Sequence, residues 1–444
     1  MSRAGTKSAR QRETLIRGQR FSLTLGLYMN LHYAFDHPEL VSQCYTGPTL
    51  SELTRRSSLL FQVENHEIYF KIRRTLSSMN HFDLSGDWPT ATITDKDDRE
   101  ICRLQVRPDP KFVVLLRNAE SRKPFQALML DLVQSCSHLT ADTLDMIAHT
   151  FSQQQNKRKG NEFSSDSLLE YRGLLKHRGG KDEQTGKCYR GGFSKEARAS
   201  ISEQINLLAN VFLVFADANL KVPGANGKKT MTQVRFREVP LLIFHEIRRD
   251  DVIHSSAPLQ EWIIAPSEGF AKILDGGYAG LLPRKVLQYN HANEYLLKAI
   301  ARYFHYLWRI NHKQGVKDNV QYSRKIKVSE VLRNIDLDMD KSHPQRTLNR
   351  LQNGLDRLKK DCLIKSWKYG LARSEEELEH FLTSKRGWPE IWLTLDLIVE
   401  PSDKFISQLG QMFSSELYFK RKKASKEVEK NSPILNLVKT RASI

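Results

Sequence analysis

The side chains with most chemistry to offer lie between Ser342 and Tyr369, SHPQRTLNRLQNGLDRLKKDCLIKSWKY. On a helix turning about 100° per residue, Gln345, Arg346, Asn349, Arg350, Asn353 and Arg357 come to one side, and Lys360 continues it. Guanidinium and carboxamide groups fork onto guanine and adenine edges in a major groove. The face opposite the apolar stripe shows no acid and no apolar anchor, so it suits a polyanion better than a protein interior. The expected division of labour is base readout by those side chains and phosphate contact by Lys360, Lys365 and Lys368.

Such a face needs a helix to present it. Ser342 is a good N-cap, and Pro344 suits a first turn, where its missing N–H would be unpaired anyway. Leu348, Leu351, Leu355 and Leu358 recur at helical spacing and predict a buried stripe. CLIKSWKY then alternates like a strand, a polar excursion runs from Gly370 to Pro389, and EIWLTLDLIV reads as a returning strand. A helix followed by a two-stranded wing is how a winged helix-turn-helix ends.

Composition agrees with that partner. The chain has 444 residues, room for roughly two to four domains. It carries 69 Lys and Arg against 51 Asp and Glu, a net charge of +18, which suits nucleic acid or an anionic surface. Hydrophobic content of 40% indicates globular sequence. Cys44, Cys102, Cys136, Cys188 and Cys362 are scattered without a CxxC pair, which argues against a zinc ribbon or a disulfide framework and for a reducing cytosol. No apolar run approaches the ~18 residues of a membrane span. Ser22, Thr24 and Asn30 interrupt FSLTLGLYMNL at Phe21–Leu31, so it reads as a core element behind a basic, disordered arm (1–20) rather than a secretory signal.

The expected architecture is α+β: two winged helix-turn-helix domains in tandem, preceded by a mixed α/β region. In that region (21–135), ENHEIYFKIRR, TATITD and REICRLQV read as strands, the last two joined at Lys96-Asp97-Asp98, and KFVVLLRNA reads as a buried strand. His66, His81 and the Cys136-Ser137-His138 step have no partner at ligand spacing and predict packing roles.

The first module (139–250) opens with Thr140 as a cap and Leu144, Ile147, Ala148 and Phe151 as an apolar face. Ser164 or Ser165 caps a short helix. Ser194 caps a longer one with a stripe of Ala197, Ile201, Ile205, Leu208 and Phe212. Strand-like FLVFADA and MTQVRFREV flank the turn-rich KVPGANGKKT. The outer face of the Ser194 helix carries Glu203 and little positive charge. This module is therefore expected to hold backbone through Arg172, Lys176, Arg178, Lys187, Arg190 and Lys195, with Lys228 and Lys229 at a wing tip. A purely structural role is the competing reading. PLLIFHEIRR, EWIIA and GFAKIL supply further strand-like runs, and 251–290 is read as a connection. The second module spans 291–400 and opens with the helix NEYLLKAIARYFHYLWRIN. Residues 401–444 form a charged tail.

Three catalytic or metal motifs fail on spacing or on the element that would carry them. GANGKKT lacks the early glycine of a phosphate loop, since position 222 is Val, and it falls between strands. His245 and Arg248 have a tyrosine-recombinase spacing with Tyr278 downstream, but on a strand they would point to opposite faces. Asp336, Asp338 and Asp340 alternate as in a calcium loop but lack its glycine and its closing Glu. No catalytic set, metal site or cofactor is expected.

The two winged units, the second with the stronger basic helix at His343 to Lys360, resemble the replication initiators of plasmids that bind repeated origin sites. LLEYRGLL and GGFSKEARASISEQINLLANVF are also similar to a winged-helix module of plasmid-borne bacterial DNA-binding proteins. The resemblance spans residues 139–400; residues 1–135 have no counterpart in it. It implies double-stranded DNA as partner, a first module that contacts backbone or mediates a homodimer, a second that reads bases, host replication proteins recruited to melt DNA, and a place in the bacterial cytoplasm. A transcriptional regulator built from the same modules is the alternative, and a DNA-cleaving enzyme using Tyr278 is a third, less favoured reading.

Overall fold

The computed structural model describes residues 60–64, 66–94, 97–109, 119–153, 160–176, 180–181, 188–189, 192–215, 219–223, 229–233, 238–245, 261–276, 279–314, 325–370 and 387–411. Among these residues the protein is α+β with antiparallel sheets. It divides into two compact units, Met1–Lys298 and Ala299–Ile444.

The first unit runs β1 (Leu60–Glu64), α1 (Glu67–Thr75), β2 (Thr90–Thr94), β3 (Glu100–Val106), α2 (Ala119–Gln134), α3 (His138–Ser152), β4 (Asn161–Ser164), α4 (Ser165–Tyr171), β5 (Gly180–Lys181), β6 (Cys188–Tyr189), α5 (Lys195–Ala209), β7 (Val211–Phe215), β8 (Asn219–Pro223), β9 (Lys229–Gln233), β10 (Glu238–Pro240), β11 (Leu242–His245), β12 (Glu261–Pro266), α6 (Glu268–Gly276), β13 (Ala279–Pro283) and α7 (Lys285–Gln288). Its largest sheet has the order β10-β7-β3-β2, and a second has the order β11-β12-β4. Strands from 21–135 and 139–250 thus share one sheet, and β12 from the expected connection pairs with β4. The segments read along the sequence interleave in space. Strand pairing is non-local, and periodicity along a chain does not say which strands meet.

Helix α3 is the centre of this unit: every residue from Leu139 to Phe151 is buried. It packs against α1, α4, α5 and β1. Ser137, rather than Thr140, is its N-cap; Ser137 Oγ accepts from Leu139 N at 3.3 Å, while Ser137 N donates to Thr140 Oγ1 at 3.0 Å. A helix buried all round must satisfy its polar side chains inside the protein. Thr143 and Thr150 donate back to Leu139 O and Met146 O. Asp145 accepts from Tyr69 Oη at 2.9 Å and Arg73 Nη1 at 3.2 Å. Asp142 accepts from Lys298 Nζ at 2.8 Å, and that ammonium also donates to Val286 O and Leu287 O. Three acceptors suit the three N–H groups of lysine.

Two strand expectations here are corrected. Residues 67–75 form α1, because Ile68, Tyr69, Ile72 and Arg73 fall on one helical face and His66 caps it, its Nδ1 accepting from Ile68 N at 3.1 Å. Within GFAKIL, Phe270, Ala271, Ile273 and Leu274 are buried on α6, whose start is held by Phe270 N donating to Ser267 Oγ at 3.1 Å. Strands β2 and β3 pair as expected, and Ser164 and Ser194 cap α4 and α5. The predicted strand over 111–119 lies almost wholly outside the described residues.

Helix α8 (Tyr295–Gln314) leads into the second unit, followed by β14 (Ile326–Lys327), α9 (Val328–Asn334), α10 (Pro344–Lys360), β15 (Ile364–Tyr369), α11 (Trp388–Thr394), β16 (Asp396–Pro401) and helical residues 403–411. The sheet order is β14-β16-β15. EIWLTLDLIV is not one strand. Gly387 in the left-handed region (φ 83°) and Pro389 in the first turn start α11 ahead of β16. Trp308 and Trp392 anchor the core, their indole N–H groups donating to Val399 O at 3.3 Å and Tyr369 Oη at 3.0 Å. No helix among the described residues is long and apolar enough to cross a membrane.

The Asp142–Lys298 pair is fully enclosed. Asp142→Ala strands a buried ammonium and should cost ~3–5 kcal/mol, the usual penalty for breaking a buried pair. Urea unfolding checks this; a loss under about 1 kcal/mol would contradict an enclosed pair.

Candidate nucleic-acid interface

Helix α10 starts at Pro344. Its N-cap is His343, not Ser342, and no side chain caps it from that position. The carboxylate of Asp340 does that work from further back: Oδ1 accepts from Ser342 N at 3.0 Å and His343 N at 2.8 Å. Thr347, buried in the first turn, accepts from Asp340 N at 3.0 Å and donates to Asp338 O at 3.3 Å. The acids at 338 and 340 therefore fix the entry to the helix, where negative charge is favoured by the helix dipole.

Leu348, Leu351, Leu355 and Leu358 are buried as the spacing predicts. Gln345, Arg346, Asn349, Arg350, Asn353, Arg357 and Lys360 are all exposed, and so are Lys365 and Lys368 on β15. The helix ends in a Schellman arrangement: Cys362 N donates to Lys359 O at 3.0 Å and Leu363 N to Leu358 O at 2.9 Å. Cys362 occupies the left-handed position with φ 59°. That turn delivers the chain directly into β15, which packs on α10.

The exposed face is not free of acid, and this corrects the sequence expectation. Asp356 is exposed at its flank and accepts from Trp367 Nε1 at 2.8 Å, tying β15 to the helix. Arg357 Nε donates to Asp361 Oδ2 at 3.1 Å. Arg346 Nη1 stands 3.9 Å from Asp340 Oδ2. Lys365 Nζ donates to Asp403 at 2.9 Å, and that bond holds the lysine's pKa above its ordinary value. Gln345 Nε2 donates to Asn349 Oδ1 at 2.9 Å, so these two carboxamides are aligned along the face. The Arg357–Asp361 spacing was legible in the sequence; the contacts of Asp356 and Asp403 depend on strands folding back.

The candidate phosphate contacts of the first unit fare differently. Arg172 is buried, its Nε 3.7 Å from Asp142 Oδ2, so it offers no charge to solvent. Its place after α4 turns it inward onto the carboxylate of α3. Lys176 is exposed, 3.3 Å from Glu170 and 5.7 Å above the Phe193 ring. Lys195 is exposed at the start of α5. Arg178, Lys187, Arg190 and Lys228 lie outside the described residues, as does the side chain of Lys229. Lys229 begins β9, which pairs with β8 at Pro223, so GANGKKT joins two antiparallel strands.

Helix α5 buries one face from Ile201 onward, while Lys195, Glu196, Ala199 and Glu203 stay exposed. Ser202, and Asn210 just past the helix end, are buried with Ile201, Gln204, Ile205, Leu207 and Leu208. Glu203 stays exposed, with burial of its surroundings pushing its carboxyl up. Phe212, expected in the helical stripe, belongs to β7. Tyr278 and Arg248 lie outside the described residues. Among the described residues no three His, Cys, Asp or Glu side chains gather as a metal site requires.

A left-handed conformation strains any residue with a Cβ, by roughly 1–2 kcal/mol. Cys362→Gly should therefore raise the unfolding free energy of the second unit by about 1 kcal/mol. Thermal or urea midpoints check this, and an unchanged or lower midpoint would count against the strain. No protein-family model, no curated protein and no solved structure matches this chain.

Proposed function

We propose that the chain binds double-stranded DNA sequence-specifically, reading bases with the exposed face of α10. The observation that carries this is the complete segregation of that helix. Its leucines are buried, and Gln345, Arg346, Asn349, Arg350, Asn353 and Arg357 all face solvent. A helix is the element that fits a major groove, and Arg and Asn are the side chains that distinguish guanine and adenine there. Lys360 and Lys368 flank the face and supply phosphate contacts.

The finer reading is a winged helix in the second unit. Support comes from the order α8, β14, α9, α10, β15, α11, β16 and the single antiparallel sheet β14-β16-β15. In the first unit, α3, α4 and α5, followed by β7 and then the β8–β9 hairpin, give a partly related order. The solvent side of α5 carries the acids Glu196 and Glu203, and its Arg198 is bonded to Asp166 at 2.6 Å, so we assign that unit to support or dimerisation rather than base reading. The tandem arrangement and its resemblance to plasmid replication initiators lead us to propose that role: occupation of repeated origin sites, with melting left to DNA distortion and recruited host proteins. A regulator would use the same face; maintenance of a plasmid carrying only this gene and its flanking DNA separates the two.

Selection of duplexes from a random library should enrich one sequence. On that duplex, Arg346→Ala or Arg350→Ala should each lose ~1–3 kcal/mol of discrimination over scrambled DNA. Equal losses on both duplexes would refute base readout, and no binding at moderate salt would refute the function. Lys360→Ala and Lys368→Ala should weaken both duplexes alike and reduce the salt slope by about one each. A slope that does not move would remove those lysines from the interface.

A further inference from the structure

The cations of the α10 face do not wait unpaired. At the C-terminal end Arg357 is bonded to Asp361 at 3.1 Å, and at the N-terminal end Arg346 stands 3.9 Å from Asp340. Neither acid is placed there by chance rotamer alone. Asp361 is the last residue before the left-handed turn at Cys362, its side chain 15% exposed. Asp340 is held by the backbone N–H groups of Ser342 and His343. The arginines by contrast lie on the solvent side, their side chains 70% and 46% exposed for Arg346 and Arg357.

Ion pairs this exposed contribute little to folding. Their consequence lies in what each arginine must give up to meet a polyanion. A phosphate offers its acceptor oxygens only together with a full negative charge, and it would have to compete with a carboxylate that stays nearby and repels it. A base edge offers directional, bidentate acceptors without a formal negative charge, and loses less to the same neighbour. An acid beside each terminal arginine therefore penalises non-specific binding more than specific binding, which is how selectivity is gained by repulsion.

We propose that Asp361 and Asp340 are specificity-determining residues of the interface, suppressing attachment to arbitrary duplex DNA by holding Arg357 and Arg346. This rests on the DNA-binding reading above. The substitutions that test it are conservative. Asp340→Asn keeps an oxygen for Ser342 N and His343 N, and Asp361→Asn keeps the size of the helix's last residue.

The experiment measures the full-length chain on two probes, the duplex enriched by wild type and its scrambled counterpart, over a range of salt. Each variant should bind the scrambled duplex about fivefold more tightly, the size of one charge–charge interaction across ~4 Å of water. The enriched duplex should gain less, so the ratio of affinities falls. As a control for bulk charge, Glu67→Gln removes a carboxylate from a surface pair with Lys71 in the other unit and should leave the ratio as it was. If wild type binds and discriminates but Asp361→Asn and Asp340→Asn keep its ratio, the inference is overturned and DNA binding stands. A matching fall in Glu67→Gln would also overturn it, since the effect would be general charge. If wild type fails to bind or to enrich any sequence, the DNA-reading assignment itself fails.

Discussion

The second unit depends on how completely one side of α10 is withdrawn from water. Leu348, Leu351, Leu355 and Leu358 are at most 3% exposed, so the rotation of the helix about its own axis is fixed. Turning it by even one position would put a leucine into solvent and an arginine into the core, with a cost in kcal/mol for each. The polar face is consequently presented in one fixed orientation, as the proposed base readout would require. The Schellman turn at Cys362 and the bond from Trp367 to Asp356 extend that constraint to β15.

The first unit meets the opposite demand. Its central helix α3 has no solvent face, yet it carries Asp142 and Asp145. Charges enclosed in this way are tolerated only with partners, which here come from distant parts of the chain: Lys298 for Asp142, and Tyr69 and Arg73 for Asp145. These pairings define which segments must pack on α3. Arg172 is recruited to the same interior charge, so a residue that looks like a surface cation along the sequence serves the core.

The two units thus use basic residues for different ends. In the first, described arginines such as Arg73 and Arg172 neutralise buried acids. In the second, Arg346 and Arg357 of α10 stay at the surface and are matched with acids at its rim. The net charge of +18 alone does not distinguish these uses.

The exposed face of α10 was legible from sequence because a helix makes its sidedness from residues three and four apart, all within one segment. The same locality made the caps at Ser164 and Ser194 and the β2–β3 pairing readable. Thr140, Ser342 and the run at 390–399 were misassigned because neighbouring residues competed for the same role: Ser137 caps first, Asp340 reaches the α10 entry, and Trp388-Pro389 begins a helix. What only tertiary structure decided was everything that depends on distant partners. Strands of three sequence segments share sheets, Ser202 on α5 is buried, and Arg172 turns inward, because each outcome is set by contacts between residues far apart in the chain. The acid beside Arg357 lay in plain view at four residues' spacing. That it accompanies an exposed face of fixed orientation became evident only once the leucines were seen to be buried.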